Sequence, residues 1–327
     1  MRIPKRYREL QETRWAFPFS WDEDGHPETW PTAFAYYYPP PGFLPIGLFE
    51  LGNGDKHGFY WPIGREEDEP LLCETYHDSQ TIEPHASNLE GLVKLKILSG
   101  WYKPDDLDYK EAVSIARQLS IKLPNPSASA APSPFEMLEL DDASPAALRT
   151  AALSAVKEQH FEQAEQYLTR ALHILPEYTA ALFALAVLYR RMQRLSLAVP
   201  KMLEVLSAPR CFGPGRDACL RWLQQYSDED FPELTDDPLW RQRHALTFET
   251  GVKYNTDFLI YEDAIQDYLR SGKAIFAVRL RILVGELMWL ETTSFRERFG
   301  YTKEKHTRLL VENLEQAGLK TRLAAVK

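Results

Sequence analysis

The chain has 327 residues, of which 44% are hydrophobic and 26% are charged, and its formal net charge is −9. This length suffices for two or three domains with buried cores, and the composition is that of globular proteins, which excludes wholesale disorder. The acidic balance argues against a general nucleic-acid-binding protein, because such a protein needs a basic face to displace counterions from phosphates.

Most of the strand signals lie in the first 122 residues. An apolar run at Phe43–Leu51 ends in a Gly-Asn-Gly-Asp turn, and an aromatic run follows at Gly58–Ile63. This order predicts two antiparallel strands joined by a turn. The apolar segment Leu71–His77 predicts a third strand after an acidic turn.

Two helices are predicted after these strands. Apolar residues recur at helical spacing in Ala86–Leu98, where Ser87 and Glu90 are placed as a capping box. The segment Tyr109–Leu119 predicts a second, short helix. Residues 1–122 are therefore predicted to form an α+β domain with a small antiparallel sheet.

The sequence changes character at residues 123–134, which read LPNPSASAAPSP. This segment has no large side chain after Leu123 and no apolar face to bury, so it predicts an extended linker stiffened by proline. Almost everything beyond it predicts helix. We divide that part into a repeat region, residues 135–250, and C-terminal capping helices, residues 251–327.

Two segments of the repeat region match when one is shifted along the chain by a constant number of residues, the distance from Leu148 to Leu182. We call this number the repeat period. The paired positions are Leu148 and Leu182, Ala151 and Leu185, Ala152 and Ala186, Ala155 and Tyr189, Phe161 and Leu195, Ala164 and Ala198, and Leu168 and Met202. Small residues recur where helices must approach closely, which predicts two equivalent helix pairs. Because about three such units are usually needed to bury their faces, Gly213–Gln242 is predicted to be a degenerate third unit.

Two amphipathic helices are predicted to cap the repeats. In Phe276–Leu290 the apolar residues step by four, three, four and three positions, and a similar pattern in Leu309–Ala317 stops at Gly318. The first of these helices also contains charged residues, Arg279 among them, so no segment is predicted to span a membrane.

The cysteines and the N-terminus favour a cytoplasmic protein. The chain contains Cys73, Cys211 and Cys219. Their spacing fits neither a disulfide framework nor a zinc site, so we expect buried thiols in a reducing compartment. The basic start of the chain is not followed by an apolar run, so no secretory signal is predicted.

No convincing catalytic site is found in the sequence. The sheet could gather a metal-binding or acid–base cluster from Asp55, His57, His77, Asp78 and His85. The alternative, turn chemistry and surface polar residues, is favoured because no two histidines have a metal-binding spacing. Glycine-rich phosphate loops are also missing, and Gly213-Pro214-Gly215 is predicted to be an ordinary loop. We therefore predict no catalytic residue, no metal site and no cofactor.

The charge is uneven along the chain. Residues 1–100 hold 16 acidic and 9 basic side chains, whereas residues 251–327 carry a net charge of +3. The candidate partner-binding residues are two acidic runs, Glu66, Glu67, Asp68, Glu69 and Asp228, Glu229, Asp230, with the aromatic residues Trp30, Tyr36 and Tyr37. Acidic and aromatic side chains suit a basic protein partner. The alternatives are solvated loops for the acidic runs and core filling for the aromatic stretch.

Two resemblances to known families accompany these patterns. The order FLPIG, ELGNGD and GFYWP, an apolar strand ending at His77, and then PHASNLEGLV resembles the SUKH superfamily over roughly residues 30–98. That superfamily includes yeast cell-wall assembly regulators and bacterial immunity proteins. Members of that superfamily usually begin with a helix and a Leu-Pro step into a second helix, and this pattern is not clear in Arg14–Pro41. The repeat in residues 135–250 resembles the tetratricopeptide repeat, although Leu148 and Leu182 replace its usual aromatic residue.

The resemblances imply a non-enzymatic bacterial immunity protein. Such a protein would bind a cognate toxin or effector, such as a basic nuclease, and occlude its active site, without binding nucleic acid or membranes itself. The alternative is a scaffold or regulatory adaptor that binds peptides or proteins through the repeat groove. An enzyme is the third hypothesis. Oligomeric state, toxin identity and the contacting domain are left open by the sequence.

Overall fold

A computed structural model of the chain describes residues 1–11, 21–28, 38–48, 54–98, 107–124, 132–247 and 257–326. The chain divides into two compact units. Unit 1 is Met1–Thr32 with Gly42–Pro176, and unit 2 is Ala33–Pro41 with Glu177–Lys327.

Unit 1 combines strands and helices, whereas the regular structure described in unit 2 is helical. The strands are β1 (Phe43–Pro45), β2 (Lys56–Tyr60), β3 (Leu71–Tyr76) and β4 (Thr81–Ala86). The helices of unit 1 are α1 (Lys5–Gln11), α2 (Leu89–Leu98), α3 (Leu107–Gln118), α4 (Pro134–Leu140), α5 (Pro145–Lys157) and α6 (Phe161–Ile174). The helices of unit 2 are α7 (Thr179–Arg191), α8 (Leu195–Ser207), α9 (Arg216–Leu223), α10 (Pro238–Gln242), α11 (Phe258–Arg270), α12 (Ala274–Phe299), α13 (Lys303–Gln316) and α14 (Lys320–Leu323). The predicted layout of a small antiparallel sheet followed by helices is confirmed at this level.

The four strands form an antiparallel sheet in the order β1-β2-β3-β4. Three of them correspond to predicted strands, whereas β4 was not predicted. Its sequence, TIEPHA, contains Pro84, which argues against a strand inside a sheet because proline donates no ladder hydrogen bond. β4 lies at the edge of this sheet, where a proline is tolerated, and its alternate residues Ile82, Pro84 and Ala86 are buried.

The N-terminal helix α1, which the sequence analysis did not predict, packs on the sheet. Tyr7 is fully buried and meets the Phe59 ring edge to face, with centroids 4.7 Å apart. Arg6 forms an ion pair with Glu90 of α2 at 2.7 Å. The first residues of the chain are therefore part of the core of unit 1.

The predicted capping box of α2 is wrong by one residue. Asn88 is the cap, because its Oδ1 accepts a hydrogen bond from the Gly91 N–H at 3.0 Å. Ser87 instead donates twice to the Asp141 carboxylate, from its N–H at 2.7 Å and from its hydroxyl at 2.6 Å. Glu90 is engaged by Arg6 and Lys94.

Contacts across the predicted linker hold α4 and α5 in unit 1. Besides the Ser87–Asp141 bonds, the Ser144 hydroxyl donates a hydrogen bond to the His85 carbonyl at 2.6 Å. The same hydroxyl caps the start of α5 by accepting a hydrogen bond from the Ala147 N–H. The compact unit consequently continues to Pro176, past the boundary drawn at residues 123–134. Most of the linker, residues 125–131, lies outside the described residues, and independent folding of the predicted domains stays a prediction.

The repeat period is confirmed as a structural period. Helix α7 begins one period after α5, and α8 begins one period after α6. The loops between the helices of each pair share a left-handed residue, Gln159 with φ 62° and Gln193 with φ 57°. Ala164 and Ala198 are fully buried, as the close approach of paired helices requires.

Unit 2 has a polar network in its core, centred on the fully buried Arg281 of α12. The guanidinium binds both oxygens of Glu262 on α11 and donates to Asn313 Oδ1 at 3.0 Å and to the Tyr301 hydroxyl at 2.8 Å. The same hydroxyl lies 2.9 Å from Nδ1 of His306. One arginine thus joins α11, α12 and α13.

The remaining sequence predictions concern the C-terminal helices, the cysteines and membrane spans. Helix α13 ends at Gln316 and Gly318 follows with φ 72°, as predicted. Cys73, Cys211 and Cys219 are buried and none of them forms a disulfide. Within the described part of the chain, no helix has both the length and the apolar composition needed to cross a bilayer.

Candidate functional site

Two histidines from different strands converge on Glu74 of β3. His57 is its direct cross-strand neighbour on β2, with Nε2 3.4 Å from Oε2. His85 of β4 places its Nε2 3.1 Å from the same oxygen, and the Tyr76 hydroxyl lies 3.3 Å from that nitrogen. The Glu74 cluster thus joins side chains of β2, β3 and β4.

The electrostatics of the cluster favour a neutral histidine beside an ionised carboxylate. Burial lowers the pKa of His57, and the charge of Lys96 on α2 acts in the same direction. Burial alone would raise the pKa of Glu74, but hydrogen bonds from His57 and His85 outweigh it and hold the pKa well below its usual range. With only 14% of its side chain exposed, Glu74 serves the strands as a shared acceptor rather than presenting an open carboxylate.

The five polar residues considered in the sequence do not form one cluster. His57 and His85 meet at Glu74, whereas His77 binds Asp55 at 2.8 Å and Asp78 at 2.9 Å. Among the described residues, no three His, Cys, Asp or Glu side chains are arranged to hold a metal ion. Sequence analysis missed Glu74, although the predicted turn between the strands could have indicated its pairing with His57.

Acidification is expected to destabilise the sheet through His57. Because its folded-state pKa lies below the unfolded value of about 6.5, the unfolded state binds more protons in the interval between the two. The stabilisation is therefore present above pH ~6.5 and is lost as the pH falls, by at most about 1.4 kcal/mol per pH unit for one group. We expect His57→Asn to flatten the pH dependence of the free energy of unfolding, measured by urea titration.

The matched control is the same substitution at His160, whose side chain is 61% exposed. The pH dependence in the His57 variant should be flatter than in this control. Equal slopes in the His57 variant and the parent, between pH ~5 and pH ~6.5, would contradict the assignment.

The acidic run at residues 66–69 is largely used within unit 1. Glu66 is only 6% exposed, and its Oε1 accepts a hydrogen bond from the Gly64 N–H at 3.0 Å. Asp68 pairs with Arg65 at 2.7 Å, and Arg65 also donates to the carbonyl oxygens of His173 and Ile174 at the end of α6. Glu66, one of the predicted partner-binding residues, is therefore buried within unit 1.

The two other side chains of that run, Glu67 and Glu69, are exposed. A role for the run in binding a basic partner stays a prediction, and it now concerns mainly these two exposed side chains.

The second acidic run also has local partners. Asp228 accepts from Trp240 Nε1 at 2.9 Å and pairs with Arg243 at 2.9 Å. Asp230 accepts from the Ser227 N–H at 2.8 Å. Glu229 is exposed. The aromatic candidates Trp30, Tyr36 and Tyr37 lie outside the described residues.

A stacked aromatic and cationic surface lies on unit 2, where the Trp222 side chain of α9 meets side chains of α7. The Trp222 indole stacks on Phe183 with centroids 5.9 Å and planes 15° apart, and the Arg190 guanidinium carbon is 4.4 Å from the indole centroid. Phe183 and Arg190 are two helical turns apart, about 10.5 Å along the axis, so the indole lies between them. Val187 occupies the same stretch of α7 and is 38% exposed. We call these four residues the α7–α9 surface.

Two glycines let α9 reach α7. A Cβ on Gly215 would lie 2.4 Å from Cγ of Phe183, and one on Gly213 would lie 2.6 Å from Cβ of Ala180. Both glycines also have positive φ values that other residues rarely adopt. The Gly213-Pro214-Gly215 segment is a loop, as predicted, and its backbone positions Trp222 by packing directly on α7.

The corresponding face of α5 repeats part of this arrangement. Leu153, one repeat period before Val187, is likewise 38% exposed. Arg149 occupies the position of Phe183, and Val156 that of Arg190. In the sequence, the repeat period was traced through positions predicted to be helix contacts, although the same period also relates this exposed pair.

Comparisons with known proteins find similarity at both ends of the chain. A family model described as the YfbP N-terminal domain matches residues 26–111, and one described as the YfbP C-terminal domain matches residues 249–314. The uncharacterized protein YfbP of Escherichia coli (strain K12) is 29% identical over 269 residues, which cover 81% of this chain and 84% of that protein. The first family match covers the sheet and α2 and extends into α3, and the second covers α11 and α12 and extends into α13.

The predicted membership of the SUKH superfamily and of the tetratricopeptide repeats is wrong. The matching models are those of YfbP, and no SUKH or tetratricopeptide family is found. The physical reason is that strand–turn–strand patterns follow from antiparallel pairing, and a constant repeat period follows from stacked helix pairs. Both patterns indicate architecture rather than ancestry. The immunity function was inferred from the first resemblance and therefore loses that support.

Proposed function

We propose that this chain is a non-catalytic protein that binds other proteins through two separate faces, the outer face of α5 in unit 1 and the outer face of α7 in unit 2. These faces consist of Arg149, Leu153 and Val156 on α5 and of Phe183, Val187 and Arg190 on α7. The observation that carries the proposal is the exposure of Leu153 and Val187 at equivalent positions of the two helix pairs. Single exposed aliphatic residues are ordinary on protein surfaces, but the same exposed position in both helix pairs supports a binding role for each face.

The interior of the molecule supports binding over catalysis. The Glu74 carboxylate is shared by two histidines and is mostly buried. Burial raises the pKa of the Cys219 thiol to about 12 and raises that of Cys211 well above its usual value, so neither thiol is activated as a nucleophile. The ionisable groups in these places serve the fold.

Site-specific photo-crosslinking in the cell tests the proposal. A photoreactive amino acid would replace Leu153 or Val187 in the full chain, and Leu259 of α11 in a control. Leu259 is a suitable control because it is more exposed, at 58%, but lies outside both faces. We expect a discrete crosslinked protein from positions 153 and 187 and none from position 259.

A second control separates binding from the Glu74 cluster. Glu74→Gln should leave the crosslinks at positions 153 and 187 unchanged, because the cluster belongs to the sheet. Crosslinking at position 259 that equals or exceeds that at positions 153 and 187 would contradict the proposal.

A further inference from the structure

We propose that the α7–α9 surface recognises an acidic segment of a partner protein that carries a large apolar side chain. This inference rests on the proposed function, since it names the chemistry of the partner at one of its two faces. Three features of the described residues carry it: the apolar platform, the cations around it, and the occupied face of the indole.

The apolar platform is formed by Phe183, Val187 and Trp222. The indole of Trp222 lies along α7 between Phe183 and Arg190, and the exposed Val187 lies on the same stretch of α7. The apolar surface therefore includes side chains of both α7 and α9. Aromatic side chains of this kind supply a large contact area at a low cost in conformational entropy. A leucine or phenylalanine from a partner could therefore bury itself against Val187 and the indole edge without rearranging the helix.

The cations around this platform determine the charge of the partner. Arg190 rests on the indole, which fixes the plane of its guanidinium while its N–H edges stay able to bind a carboxylate. Arg191 and Arg194 follow on the same chain segment, and Arg221 precedes Trp222 on α9; all three are exposed. Asp217, one turn before Arg221, is the acid on the same helix. The local excess of arginines stands out in a chain whose net charge is −9.

The stacking around Trp222 favours a protein segment over single-stranded nucleic acid. Bases bind such surfaces by stacking on an open aromatic face, and here the indole already carries the Phe183 ring and the Arg190 guanidinium. Nucleic-acid binding also requires a longer basic track than a few arginines provide. An acidic peptide needs only one or two carboxylate–arginine pairs beside its apolar anchor.

Fluorescence anisotropy with defined peptides tests this inference on the full chain. The probe is a fluorescein-labelled peptide of alternating glutamate and serine with one central phenylalanine. Matched probes replace the phenylalanine by alanine, replace every glutamate by lysine, or consist of single-stranded DNA of equal charge. We expect the first probe to bind at least about tenfold more tightly than each of the others, a difference of about 1.4 kcal/mol.

Two variants locate the binding. Arg190→Gln should weaken binding of the first probe by about tenfold, and Val187→Ser should remove the advantage of phenylalanine over alanine. Arg270→Gln, an exposed arginine on α11, is the matched control and should change nothing. If Arg190→Gln lowers the melting temperature, Arg221→Gln replaces it as the test of charge.

Failure of this inference is distinguishable from failure of the proposed function. Equal binding of the glutamate and lysine peptides, tighter binding of the DNA, or unchanged affinity in both arginine variants would overturn the inference. Crosslinks at positions 153 and 187 in the cell would still support the proposed function in that event. Acidic peptide binding that is weakened by Arg190→Gln, but not by Arg270→Gln, supports the inference whichever partner is captured.

Discussion

Replacing Arg281 by methionine is expected to lower the free energy of unfolding by about 3–5 kcal/mol, because removing one partner of a buried pair leaves the other uncompensated. The side chain is fully buried and joins three helices through Glu262, Asn313 and Tyr301. Methionine fills a similar volume, so the loss would come from the unpaired polar groups rather than from a cavity. Urea unfolding followed by circular dichroism measures the difference.

A double variant separates the buried charge from packing. Glu262→Met alone leaves the arginine without its carboxylate, whereas Arg281→Met with Glu262→Met removes both charges. We expect the double variant to cost clearly less than the two single changes combined. Arg270→Met, at an exposed ion pair with Asp267, should change stability by no more than about 0.5 kcal/mol. A loss below about 1 kcal/mol in Arg281→Met would contradict a structural role for this network.

Replacing Asp141 by alanine is expected to lower the free energy of unfolding by about 2–3 kcal/mol, because it would leave two hydrogen-bond donors of Ser87 unsatisfied. The carboxylate accepts from the N–H and the hydroxyl of Ser87, at 2.7 and 2.6 Å. Burial raises the pKa of Asp141 against the effect of these bonds. The stabilisation therefore comes from hydrogen bonding, not from the charge. Asp141→Asn keeps one oxygen that can accept from the Ser87 N–H and gains an amide N–H that can donate to the Ser87 hydroxyl, so it should lower stability less than Asp141→Ala.

Gly91 offers an independent test of the same contact. A Cβ at this position would lie 2.4 Å from Oδ2 of Asp141, so Gly91→Ala must displace the carboxylate, at a cost of about 1–3 kcal/mol. In an Asp141→Ala background the clash is removed, and the same glycine change should cost less. Additive effects of the two changes would show that they do not share this contact.

The Asp141 contact also bears on the domain boundary. Cleavage in residues 125–131 is expected to leave α4 and α5 associated with the sheet in the parent chain, since Ser87 and His85 hold them. In Asp141→Ala, the cleaved pieces should separate more readily on size-exclusion chromatography. Release of two separate pieces from the parent chain would instead favour the boundary at residues 123–134.

Periodicity and turn chemistry in the sequence were sufficient to locate most secondary structure. Strands β1 to β3, helix α2 and the equivalent helix pairs follow from local patterns, because apolar spacing directly records which face of an element is buried. Ala164 and Ala198 were identified as helix contacts for this reason, and both are fully buried. Strand β4 was missed because Pro84 carries a local signal against a strand, and only its place at the sheet edge makes it acceptable.

Only the tertiary structure decided which polar side chains have partners inside the fold. In the sequence, Glu66 and Asp228 are members of acidic runs, yet Glu66 binds the Gly64 N–H and Asp228 binds Trp240 and Arg243. The α7–α9 surface likewise depends on a loop that brings Trp222 onto α7. Hydrogen bonds and stacking of this kind join residues whose separation in the chain carries no periodic signal. Apolar residues that will be buried recur in the sequence at the spacing of a helix or strand, so their burial can be predicted locally. A polar contact depends on the three-dimensional arrangement of both partners.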